Sequence, residues 1–126
     1  MNIVALAGRL SRPPEERTLA SGTRMMSLQV TVDGVGEKAP AESVPVAWFD
    51  PTSGALDLDQ GDAVVVIGRV RRRFFRVAST VQSRTEVVAE RVVPAGRPAA
   101  VRTAMASAIE RLAEGLDQPR PKGRRR

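Results

Sequence analysis

The stretch 63–76, AVVVIGRVRRRFFR, constrains the fold more than any other part of the chain, because it reads as one long strand, buried at its beginning and charged at its end. A strand places alternate side chains on opposite faces. Arg69, Arg71, Arg73 and Phe75 therefore share one face, and Val70, Arg72 and Phe74 share the other. Whatever barrel or sheet is built around this strand has to bury Val64–Ile67 and leave a row of guanidiniums and one ring in solvent.

Four further strands are predicted. Residues 2–10, NIVALAGRL, are apolar at every position from Ile3 to Ala7, so both faces of this strand ask to be covered, and a second subunit is the expected cover on the outer side. Pro13 and Pro14 end it, since neither donates a ladder hydrogen bond. From Met26 to Asp33 apolar and polar residues alternate strictly. The strand at 43–49 puts Val44, Val46 and Trp48 on one face, and the last strand spans about 84–93.

Residues 34–42 read as a flexible connection, and 50–62 as a loop with at most a short helical turn. Five strands joined in this way predict an all-β fold, a small closed or nearly closed barrel. Beyond Pro94-Ala95-Gly96 the period changes. Val101, Met105, Ile109, Leu112 and Leu116 recur every three or four residues, which predicts an amphipathic helix over 99–116. The remaining QPRPKGRRR is basic, interrupted by Pro and Gly, and expected to be disordered. The predicted division is a binding domain over 1–96 and a helix with a basic tail over 97–126.

Charge narrows the function. The net +6 is unevenly placed: residues 1–68 carry five Lys/Arg against nine acids, residues 69–96 seven against two, and residues 97–126 eight against three. Such concentration is the footprint of a polyanion-binding protein, with solubilising surface charge as the plain alternative. The chain has no cysteine, histidine or tyrosine and no Gly-Lys phosphate loop, so no enzyme chemistry, metal or cofactor is expected, and Asp57, Asp59 and Asp62 read as a solvated loop. No segment has the run of about 20 apolar residues needed to span a bilayer, and the protein is expected to be soluble and unexported.

Only four residues are aromatic, Trp48, Phe49, Phe74 and Phe75, and two of them lie among the arginines. Guanidiniums that follow phosphates beside a ring that stacks on a base are what a groove for single-stranded nucleic acid needs. The competing reading is a salt-bridged surface in which Phe75 caps the barrel. A lone Trp on a strand is more often core than site, and period alone leaves Trp48 open between the two.

In order along the chain, MNIVALAGRLSRPPEER, ASGT, VAWF, GDAVVVIGRVRRRFF and TEVVAERV resemble the bacterial single-stranded DNA-binding protein family over about residues 1–93. The resemblance implies an OB-fold, a five-stranded Greek-key barrel, that coats single-stranded DNA without chemistry in replication, recombination or repair. It also implies a nucleoid-associated cytoplasmic protein assembled through the first strand as a homotetramer or a dimer. Carried onto this sequence, it makes Trp48 and Phe75 base-stacking residues, and Arg71, Arg73 and Arg17 strand contacts, with Arg69 on the same face.

Three features depart from the family pattern. Two stacking positions fall near Gly36 and Glu42, the loop after Phe75 is short, and the chain ends in PKGRRR rather than in an acidic tip that recruits partners. An RNA-binding or primosome-type OB adaptor, and an interaction protein with a vestigial groove, are the alternative readings.

Overall fold

A computed structural model describes residues 1–34, 36, 38–52 and 57–117. It contains β1 (Val4–Leu10), β2 (Glu15–Thr18), β3 (Arg24–Val32), β4 (Glu42–Phe49), β5 (Ala63–Val77), β6 (Thr80–Pro94) and α1 (Pro98–Asp117). The sheet runs β1-β5-β6-β4-β3-β2, and a further β1–β3 pairing closes the five long strands into a barrel. This agrees with the predicted OB architecture.

The interior follows from period two. Val64 and Val66 of β5, Met26, Leu28 and Val30 of β3, Val46 and Trp48 of β4, and Val87 and Ala89 of β6 form one buried cluster with Leu10. Val4 and Leu6 of β1 pack against it, while Ala5 and Ala7 on the other side of that strand are exposed in the single chain. At the start of β1, Asn2 clamps the neighbouring strand: its Nδ2 donates to Val70 O at 2.7 Å and its Oδ1 accepts from Val70 N–H at 3.0 Å.

Two glycines permit closure. A Cβ on Gly8 would lie 2.3 Å from Thr31 O, where β1 comes onto β3, and one on Gly68 would lie 2.1 Å from Val88 O. Gly68 sits at a bulge: Ile67 pairs with Arg91 and Gly68 with Ala89, so Glu90 has no opposite residue. The neighbours in both cases are backbone and cannot step aside. Gly68→Ala is expected to cost about 1–3 kcal/mol of stability through overpacking. A lower urea midpoint with an unchanged slope would show it, and an unchanged midpoint would mean that β5 and β6 lie farther apart here.

The structure differs from the sequence reading in three places. The Pro-Pro break is followed by β2, a short strand paired with β3 from Glu15↔Ser27 to Thr18↔Arg24, which makes six strands in place of five. β5 and β6 run on as one long hairpin closed by Val77↔Thr80, so most of the presumed loop after Phe75 is strand. The tight turn leaves Ala78 at φ 55, a left-handed conformation that costs a non-glycine residue roughly 1–2 kcal/mol.

The third difference concerns α1. The helix lies where expected, but the residues it buries are Ala104 and Ala108, seated on Val65, Ile67 and Val93 of the barrel's outer side with Ile3 beside them. Short side chains let the helix approach the sheet closely. Part of the outer cover expected from a second subunit thus comes from the chain itself. The bulged Glu90 pairs with Arg111 of α1. Residues 53–56 of the stretch 50–62, and the basic tail entirely, lie outside the described residues.

Candidate functional site

The faces that β2 to β6 turn away from the core meet in a recess of about 270 Å³. Arg17 comes from β2, Met25 and Ser27 from β3, Pro45, Ala47 and Phe49 from β4, Arg84 and Glu86 from β6, and Arg71 and Arg73 from β5. Each strand supplies the parity opposite to its core residues. Cross-strand register then sets the neighbours: Arg71 lies opposite Glu86, Arg73 opposite Arg84, and Phe75 opposite Gln82.

Glu86 organises the recess. Its carboxylate is 6% exposed, and its Oε2 accepts from Arg71 Nε at 2.9 Å and from Arg71 Nη2 at 2.6 Å. Arg73 Nε stands 3.6 Å from the same oxygen. One buried anion thereby holds two partly exposed guanidiniums side by side, at geometries typical of charge-assisted hydrogen bonds for Arg71.

Each guanidinium also covers a ring. Arg71 Cζ is 5.6 Å from the Phe49 centroid, and Arg73 Cζ is 5.5 Å from the Phe75 centroid. Both distances fall within cation–π range. The result is two ring–guanidinium pairs joined through one carboxylate, with Arg17 and Arg84 on the flanks. Four arginines against one acid leave the recess strongly positive, and its rings are half-buried, not sealed in.

Of the residues singled out from the sequence, Arg17, Arg71 and Arg73 line this recess, and Phe75 adjoins it beneath Arg73. Arg69 is exposed and two positions nearer the barrel body, opposite Val88, outside the lining.

Trp48 has to be corrected. It is 3% exposed and belongs to the barrel core, between its cross-strand neighbours Met26 and Ala89. Parity is the cause, since the indole shares its face with Val44 and Val46, both committed to the interior. The ring that β4 turns into the recess is Phe49, one position on. The strand pattern held the signal: a face that buries Val44 and Val46 sends Phe49 the other way. Arg84 and Glu86 were also missed, because their place depends on the register of the β5–β6 hairpin.

Asp62 accepts from the Asp59 backbone N–H at 2.9 Å, a turn-stabilising bond, and among the described residues no three potential metal ligands gather. Among the described residues, too, no helix is long and apolar enough to cross a membrane.

Residues 1–94 match the model of the single-strand binding protein family. No curated protein matches the chain.

Proposed function

Because this chain belongs to the single-strand binding protein family, we propose that it coats single-stranded DNA without sequence preference through the recess on β2 to β6, in replication, recombination or repair. The observation that carries the reading is the paired arrangement of Arg71 on Phe49 and Arg73 on Phe75 around Glu86. Phosphates approach the guanidiniums from solvent, and a splayed base stacks on a ring as the arginine slides off its face toward a phosphate. Every base has such a face, so the contact tolerates any sequence.

DNA binding is assigned to residues 1–96, with residues 97–126 adding phosphate contacts through the basic tail. Assembly through the first strand is supported by β1 itself, which pairs with β3 only at Arg9 and Leu10 and so leaves most of one edge open among the described residues.

Salt dependence tests the electrostatic part. Neutralising phosphates on a single strand lowers log affinity by about 0.7 per contact for each log unit of salt. If Arg17, Arg71, Arg73 and Arg84 act together, a slope of roughly −2 to −3 is expected for one recess on a chain truncated after residue 96. Arg84→Ala is expected to reduce that slope by about 0.7 and to weaken binding equally on thymidine and mixed-sequence oligonucleotides. A salt-independent affinity, or tighter binding to structured RNA than to thymidine tracts, would overturn the reading.

A further inference from the structure

Helix α1 carries two apolar faces, and the barrel uses one. Ala104 and Ala108 are buried against β5 and β6. About a quarter turn away runs the stripe Val101, Met105, Ile109, Leu112 and Leu116. Its first two members are half-buried against the barrel, whereas Ile109, Leu112 and Leu116 are 62%, 40% and 71% exposed. The helix lies wholly beyond the residues that match the family.

The charges of α1 run against its own dipole. Acids are favoured near a helix N-terminus and bases near its C-terminus. Here the first turn has no acid and the last turn no base. Arg97 and Arg102 lie at the beginning, and Glu110, Glu114 and Asp117 toward the end, while the one base in that half, Arg111, is held by Glu90. Such a layout is unfavourable for a helix alone. It becomes complementary when an identical helix lies alongside in the opposite direction.

The stripe is complementary in the same sense. With a two-fold axis beside Ile109, Met105 meets Leu112 of the second copy, Val101 meets Leu116, and Ile109 meets itself. Arg102 then comes alongside Asp117 of that copy, on the same flank of the stripe. We propose that α1 is a self-association surface, on which a second copy of this chain docks its own α1 in antiparallel orientation about a two-fold axis at Ile109. A surface that meets itself across such an axis closes as a dimer and does not propagate. The pairing uses the part of β5 around Val65 and Ile67, whereas the recess uses Arg71 and Arg73 farther along the same strand.

The chain contains no cysteine, which gives a direct test on the full-length protein. Under mild oxidation Ile109→Cys is expected to form a disulfide-linked dimer in high yield. Leu116→Cys, far from the axis, and Ser107→Cys, on the opposite side of the helix, should remain largely unlinked. In sedimentation at micromolar concentration, Ile109→Glu is expected to halve the particle mass with an unchanged thermal midpoint. Linking of Leu116→Cys as efficient as that of Ile109→Cys would mean parallel helices and would overturn the proposal. So would a wild-type chain that sediments as a monomer, or an unchanged mass for Ile109→Glu.

Discussion

Trp48→Ala is expected to lower the stability of the barrel by about 3–5 kcal/mol, the usual cost of truncating a large buried aromatic side chain. The indole is 3% exposed and lies against core residues from β3 and β6. Removing it would empty the region where three strands converge, and with only one modest core in the chain little else is present to compensate. A fall of this size in urea unfolding would leave a barrel that is partly unfolded at ambient temperature.

The same placement makes a spectroscopic forecast. Wild-type emission should be blue-shifted, and saturating single-stranded DNA should change it little. Trp48→Phe, which keeps a ring in the core, should retain affinity for thymidine oligonucleotides within about twofold, since no stack worth the usual 1–3 kcal/mol is being lost. Strong quenching by DNA, or an Ala variant as stable as the wild type, would return the indole to the groove.

The contrast between Trp48 and Phe49 shows what a sequence discloses. Continuous apolar runs located β1 and the start of β5, whereas period two located β3, because Met26–Val32 declare which side is buried without any partner being known. Period two also placed Arg71, Arg73 and Phe75 together correctly. For β4 the same rule was outweighed by family likeness alone, although Val44 and Val46 had already claimed the face.

Register was a different matter. Arg84 and Glu86 reach the recess only because the β5–β6 hairpin turns at Ala78 and Ser79, and that turn carries no Asn-Gly or Asp-Gly signal. Helix α1 was visible in its period, but which of its faces met the barrel was not. A stripe of large apolar residues announces itself in a sequence, whereas two alanines, Ala104 and Ala108, do not.

Phe49→Ala combined with Phe75→Ala is expected to abolish most of the affinity for single-stranded DNA while leaving the barrel folded. Each stack is worth roughly 1–3 kcal/mol, so independent losses would total about 2–6 kcal/mol, thirtyfold or more in dissociation constant. Independence is not assured. Arg71 and Arg73 share Glu86, and once a ring is removed its guanidinium can settle further onto that carboxylate, taking positive charge away from the phosphates. Because one carboxylate can draw in only one guanidinium fully, the double variant should lose somewhat less than the two single variants together.

Stability should fall much less than in Trp48→Ala, because neither phenylalanine belongs to the buried core. Anisotropy of a labelled thymidine oligonucleotide, read beside urea unfolding of the same samples, separates the two effects. Wild-type affinity in the double variant would show that the rings serve only as seats for Arg71 and Arg73, and that binding is purely electrostatic. Lost binding accompanied by unfolding of the barrel would instead assign both rings to the structure.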